Sequence, residues 1–182
     1  MSPTYSNQMP EGTMMPAFEL PGTDGNTYSP SSFADAEILV VEFTCNHCPY
    51  AIAVEDRLIQ LQADFVAKGV QFILINANDA VQYPEDSFPN MVLRATEKHF
   101  PFPYLYDETQ EAGRAYNAAC TPDVFVFDSR RILRYNGRID DNWQQPDQVT
   151  QQDLRIVLED VLAGRDISID PVPSIGCSIK WK

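Results

Sequence analysis

Apolar and polar positions alternate along this chain in two periods, and the periods mark out its elements. Ile38-Leu39-Val40-Val41-Glu42-Phe43 is apolar at all but one position and rich in β-branched residues. Such a run predicts a buried strand. Beyond it, Ala51, Val54, Leu58, Leu61, Phe65 and Val66 recur at helical spacing, with Glu55, Asp56, Arg57, Gln62 and Asp64 between them. That pattern predicts a long amphipathic helix ending near Lys68-Gly69, where glycine suits the C-cap. Val70 to Ile75 predicts a second buried strand. Asp86 or Ser87 reads as the start of a helix over Phe88 to His99. Pro101 to Tyr106 reads as an extended connector, and Asp107 as the cap of a short helix from Glu108 to Tyr116. Val124 to Asp128 and Ile132 to Asn136 read as an antiparallel hairpin. Thr150 to Leu162 reads as a last helix, closed at Gly164.

Before the first long strand, Ala17 to Leu20 and Thr27-Tyr28 flank Asp24-Gly25 as a small hairpin. Ser29 to Phe33 suits one helical turn. Residues 1–12 read as a loose lead-in, and Asp166 to Lys182, with two prolines, as an ordered or semi-ordered tail. The first half thus predicts a parallel crossover and the second an antiparallel hairpin. Together they give a mixed sheet with helices on both faces.

Cys45-Asn46-His47-Cys48 falls between the first long strand and its helix. Free backbone N–H groups and the positive end of the helix dipole favour a thiolate at such a place. A Cys-x-x-Cys there is poised for thiol–disulfide exchange. Pro49 is compatible with the first helical turn, where its missing N–H costs nothing, and it sets the helix start at about Asn46 or His47. Cys45, first in the turn, is expected to be the more exposed thiol with the lower pKa, and hence the attacking thiolate. Cys48 is expected to resolve the mixed disulfide. A protonated His47 between them stabilises the Cys45 thiolate and makes the pair more oxidising. Glu42 is a carboxylate inside an apolar strand. Buried near the pair, it would have a raised pKa and could shuttle the proton of Cys48; an outward-facing structural role is the alternative.

Composition narrows the setting. The 182 residues suit one domain with a full core, and 44% are hydrophobic. No run of about 18 apolar residues exists, so no transmembrane helix is expected. The first residues lack a basic segment followed by an apolar one, so a cytoplasmic location is expected. Thirteen basic residues against 26 acidic ones give a net charge of −13. That argues against nucleic-acid and anionic-membrane partners. Four cysteines do not make a disulfide scaffold in a chain this size, so a close pair reads as catalytic or metal-binding.

Four segments resemble the thioredoxin-fold superfamily, in its peroxiredoxin-like redoxin branch. Gly12-x-x-Met15-Pro16-x-Phe18-x-Leu20, followed by Asp24-Gly25, is similar to the N-terminal segment of redoxins. Phe43-Thr44-Cys45-Asn46-His47-Cys48-Pro49-Tyr50 is similar to the active-site segment of peroxiredoxin-like proteins. Thr121-Pro122 before a strand resembles the cis-proline element, and Ile175-Gly176-Cys177-Ser178-Ile179-Lys180-Trp181 a C-terminal signature of the same group. The resemblance implies a single domain over residues 1–182. Its fold would be a thioredoxin-like three-layer α/β/α sandwich with a mixed central sheet, an N-terminal hairpin extension and an ordered C-terminal tail. It implies that Thr121 and Pro122 lie opposite the cysteine pair and leave the preceding backbone free to bind a substrate strand. In families with that proline, metal binding at the pair is excluded.

The expected activity is that of a thiol–disulfide oxidoreductase without a cofactor. Its partners would be protein or small-molecule disulfides and a cellular thiol reductant. The alternative is a peroxiredoxin-like peroxidase acting on hydroperoxides. Peroxiredoxins carry Pro-x-x-x-Thr-x-x-Cys and a distant arginine. Here Thr44 directly precedes Cys45, no proline stands in the four positions before it, and Arg114, Arg130, Arg131, Arg134 and Arg138 are equal candidates. Zinc or copper held by Cys45, His47, Cys48 and His99 is a further alternative, as is a redox-inactive interaction module. Cys177, more than 120 residues after Cys45, could return with the tail as an additional resolving thiol, or only pack with it. Cys120 is either a third thiol near the site or a small packed side chain.

Overall fold

In the computed structural model, which describes residues 3–182, the chain runs through ten strands and four α-helices. In order they are β1 (Thr4–Tyr5), β2 (Leu20–Pro21), β3 (Thr27–Tyr28), β4 (Ile38–Phe43), α1 (Pro49–Phe65), β5 (Val70–Asn76), α2 (Phe88–Glu97), β6 (Tyr104–Tyr106), α3 (Glu111–Ala115), β7 (Cys120–Thr121), β8 (Asp123–Phe127), β9 (Leu133–Gly137), α4 (Asp153–Leu162) and β10 (Ile175–Ser178). The main sheet has the order β6-β5-β4-β8-β9. β4 pairs in parallel with β5 (Val40 opposite Phe72) and antiparallel with β8 (Val40 opposite Val126). The crossover and the hairpin expected from the sequence therefore meet on β4.

Side chains on β4 alternate between two apolar cores. Ile38 and Val40 join Val54, Leu58 and Phe65 of α1, Met91 of α2, and Leu154, Val157 and Leu158 of α4. Leu39, Val41 and Phe43 face a second core of Met15, Phe18, Leu20, Phe33, Ala112 and Tyr116. Both faces are covered, as expected, but unequally. The second carries only the five-residue α3, and the N-terminal segments, with Ile179 and Trp181 of the tail, complete its cover. Glu42 shares the face of Val40 and points beneath the start of α1.

Three local expectations are corrected. Pro101 to Tyr106 is not merely a connector: Tyr104–Tyr106 adds an edge strand parallel to β5. The helix after Asp107 begins at Glu111, because Gln110 takes a left-handed backbone (φ 64°) and breaks the turn. Asp107 still serves that helix, accepting from the Gly113 N–H at 2.8 Å. From Pro3 onward the lead-in, expected to be loose, is ordered; Met1 and Ser2 lie outside the described residues. Ser6 and the Met9 N–H reach Asn136, which donates to the buried Asp123, and Thr4–Tyr5 form a strand.

A second, three-stranded sheet has the order β1-β10-β7 and is antiparallel throughout. It carries the tail back across the molecule, with Cys177 opposite Thr121. Its tightest point is Gly176. A Cβ there would stand 2.0 Å from the Thr121 carbonyl oxygen, so only glycine lets the two backbones approach this closely. Beyond Gly176 the tail is pinned by Lys180, whose N–H donates to Asn78 and whose carbonyl accepts from Asp79 and Gln110.

Candidate active site

The turn between β4 and α1 carries the cysteine pair, but the helix starts later than Asn46 or His47. Cys48 is the N-cap and Pro49 the first helical residue, so Cys45, Asn46 and His47 lie in the loop before it. That loop is held by the segment before α2. The Asn46 N–H donates to the Asp86 carboxylate at 2.7 Å, and its side chain meets the Glu85 carbonyl and the Tyr104 hydroxyl. Asp86 is fully buried. It does not cap α2, whose N-cap is Ser87. Its carboxylate instead takes Asn78 Nδ2 at 2.7 Å and His47 Nδ1 at 2.7 Å. His47 lies flat against Tyr83, with ring centroids 5.4 Å apart, and its Nδ1 is 4.0 Å from Cys45 Sγ.

Both thiols are covered: 2% of Cys45 and none of Cys48 is exposed. Cys45, expected to be the more exposed of the two, is covered almost as fully as Cys48. Tyr50, Ala51 and Cys177 pack around the pair, and Tyr50 in turn stacks on Trp143. Thr121 closes the site from β7. Its hydroxyl is 3.5 Å from Cys45 Sγ, and its carbonyl accepts from the Cys48 thiol at 3.0 Å. The Thr121-Pro122 peptide bond is cis. Thr121 and Pro122 are thus where the resemblance implied. The backbone before the proline is not free, however, because Cys120 and Thr121 are paired with the molecule's own β10.

The two thiols act on each other. The neighbouring Cys45 is the largest influence on Cys48 and draws its pKa down; burial opposes it, and Thr121, the Ala51 N–H and Cys177 assist it. The neighbouring Cys48, with burial and the charge of Asp86, pushes Cys45 up. The two thiols therefore titrate as a pair, with the acidity drawn toward Cys48. This reverses the expected order. Its largest cause is the close approach of the two thiols to each other; the charge of the buried Asp86 beside Cys45 adds to it.

Glu42 is buried, and neither of its carboxylate oxygens has a hydrogen-bond partner. Burial, then the charges of Glu55, Cys48 and Asp123, hold its pKa well above the usual carboxylate range. The outward-facing alternative is thereby excluded. Cys177 is half-buried and packs against the Cys45–Cys48 pair. Cys120 is fully buried beneath β10, its thiol directed to the carbonyls of Pro122 and Ser174, and burial raises its pKa.

None of the five candidate arginines makes its polar contacts at the cysteine pair. Arg114 lies over Trp181, Arg130 pairs with Asp128, Arg131 binds the carbonyls of Phe33 and Ala36, Arg134 pairs with Glu11, and Arg138 with Asp153. Among the described residues, the group able to hold a metal is Cys45, His47 and Asp86, with donor atoms within 4.8 Å of one another. Cys48 and His99 fall outside it. Asp86 was legible in the sequence only as a helix cap; nothing there signalled that it would turn toward His47.

A family profile described as Redoxin matches residues 10–154. No curated relative matches the sequence. An uncharacterized conserved protein from Geobacillus kaustophilus is 45% identical over 100% of this chain and 97% of its own, with a TM-score of 0.94. A hypothetical protein from Sinorhizobium meliloti 1021 is 38% identical over 98% of each chain, with a TM-score of 0.93. The thioredoxin domain of a thiol-disulfide oxidoreductase from Bacteroides vulgatus is 14% identical over 71% of this chain and 89% of its own. Its TM-score of 0.60 marks a common fold.

Proposed function

The chain belongs to the redoxin family, and from that premise we propose that it is a thiol–disulfide oxidoreductase acting as one thioredoxin-like unit. The observation that carries this reading is the placement of Cys45 and Cys48 at the start of α1 against one residue, Thr121, whose hydroxyl lies 3.5 Å from Cys45 Sγ and whose carbonyl accepts from the Cys48 thiol before the cis Pro122.

Cys45 lies in the loop before α1, whereas Cys48 is fixed at the helix cap with its thiol on the Thr121 carbonyl, so Cys45 takes the incoming disulfide. As Cys45 Sγ attacks, its proton passes to the Cys48 thiolate beside it. A bond forms from Cys45 to one substrate sulfur, and the other leaves as a thiolate. Cys48 then attacks Cys45 Sγ, the second substrate thiol departs, and the Cys45–Cys48 disulfide is left. Before that attack Cys48 must lose its proton again. The first substrate thiolate takes it as it leaves, and Glu42, kept protonated by its burial, places no second negative charge beside Cys48. His47, held by Asp86, places a positive charge beside Cys45 when its ring is protonated. Thr121 and Pro122 shape the surface over both sulfurs. Thiols or disulfides, of protein or small-molecule origin, are the substrates, and a cellular thiol reductant closes the cycle in the cytoplasm. No helix is long and apolar enough to cross a membrane.

The placement of the arginines supports this reading over a peroxidase. The distinguishing experiment compares Cys45→Ser and Cys48→Ser in disulfide reduction and in hydrogen peroxide consumption with a thiol donor. We expect disulfide reduction to fall to background in both, with slow peroxide turnover throughout. Fast peroxide consumption that survives Cys48→Ser and is lost in Cys45→Ser would make the protein a peroxidase.

A further inference from the structure

β10 occupies the backbone edge that a substrate strand would use. It runs antiparallel to β7, sets Cys177 opposite Thr121, and is fixed on its other side by β1. The Thr121 carbonyl that accepts from Cys48 belongs to the residue paired with Cys177. Cys48 thus has a thiol neighbour on each side: Cys45 along the turn and Cys177 across from β10. Cys177 packs against the cluster that holds both other thiols, and thiol–disulfide exchange passes a disulfide among sulfurs brought together in this way. The three differ in access. Cys45 and Cys48 are buried, whereas Cys177 reaches solvent.

We propose that Cys177 is the exchange port of the oxidised enzyme, carrying the disulfide from the buried pair to the surface, where a small thiol reductant removes it. This rests on the oxidoreductase reading above. The step is an isomerisation. Cys177 Sγ attacks Cys48 Sγ, the Cys48–Cys177 bond forms, the Cys45–Cys48 bond breaks, and the bonding pair leaves with Cys45 Sγ. The proton lost by Cys177 is regained by Cys45, so there is no net oxidation. A reductant thiolate then attacks Cys177 Sγ and expels Cys48. A second reductant thiol displaces Cys177, giving one reductant disulfide and a fully reduced protein.

Burial and the neighbouring Cys48 hold Cys177 at about 11, so it enters the exchange as a thiol that must give up its proton. The anchors on both sides of Cys177 suit this role. Ser174 is tied to Ser6 and Gly137, and Lys180 to Asn78, which also donates to Asp86. The tail is therefore a fixed partner of the pair.

The test oxidises the wild type and Cys177→Ser with one equivalent of oxidised glutathione, quenches in acid, alkylates under denaturing conditions and maps the disulfides. The rate of re-reduction by glutathione is measured alongside. We expect a Cys48–Cys177 disulfide with free Cys45 in part of the wild type, and re-reduction of Cys177→Ser slowed about tenfold, with its Cys45–Cys48 disulfide still forming. Cys177→Ala should behave as Cys177→Ser does. A wild type holding only Cys45–Cys48, re-reduced no faster than Cys177→Ser, would overturn the port and leave the oxidoreductase reading standing. Failure of Cys45–Cys48 to form even in Cys177→Ser would overturn that reading and the port with it.

Discussion

The two sides of the site are built by opposite means. Cys45 and Cys48 come from one continuous stretch, in which an apolar strand, a turn and an amphipathic helix follow one another, and the turn is placed by what flanks it. Cys177 comes from a tail without regular periodicity. It is placed by backbone pairing with two strands of two residues each, β1 and β7. Side-chain burial on both faces of β4 specifies the first side. Close backbone approach at a single glycine specifies the second. The first should survive damage to the second.

Gly176→Ala tests that separation with the largest expected effect. The new Cβ would press on the Thr121 carbonyl, a backbone atom that cannot move aside without disturbing β7. We expect a loss of about 3 kcal/mol in chemical denaturation, with faster alkylation of Cys177 while the Cys45–Cys48 disulfide still forms. If Cys45 and Cys48 also lose their disulfide, the two sides are not separable.

Asp86→Asn strikes the point where they are joined, since Asn78 binds both Asp86 and the tail. Replacing a buried carboxylate that serves three donors should cost about 2 kcal/mol. The charge of Asp86 also helps raise Cys45, so its removal should bring the second ionisation of the pair to lower pH. Ultraviolet absorbance of the thiolates against pH reads this directly. An unmoved upper step would mean that Asp86 positions the loop without acting on the sulfur.

Glu42→Gln has the smallest expected effect and concerns the first side alone. The folded protein keeps a proton on Glu42 at a pH where the unfolded chain has lost it. Stability contributed by this group is full below the ordinary carboxylate pKa and falls as pH rises toward the elevated one. The slope is at most about 1.4 kcal/mol per pH unit. Cys48, with its lowered pKa, contributes a slope of opposite sign in both proteins, so the difference between wild type and variant isolates Glu42. Denaturation between about pH 5 and 8 should show the variant gaining on the wild type as pH rises. A constant difference would deny Glu42 its raised pKa.

Much of this molecule was decided locally. The period of apolar residues marked β4, α1, β5, the β8–β9 hairpin and α4, because burial against a sheet or a helix imposes those periods on the side chains. The same signal placed the cysteine pair at a strand-to-helix turn and a lone carboxylate, Glu42, inside the strand below it. What the sequence could not carry was set by groups distant along the chain. Asp86 read as a helix cap because its neighbours suit one, and only the packed loop turned it toward His47. The order of thiol acidities depended on how the two sulfurs pack against each other and on that same carboxylate. β1, β7 and β10 are too short to show a period, and their pairing is made of backbone groups that every residue possesses. Tertiary structure alone therefore decided that the tail closes the site and that Cys177 stands beside Cys48.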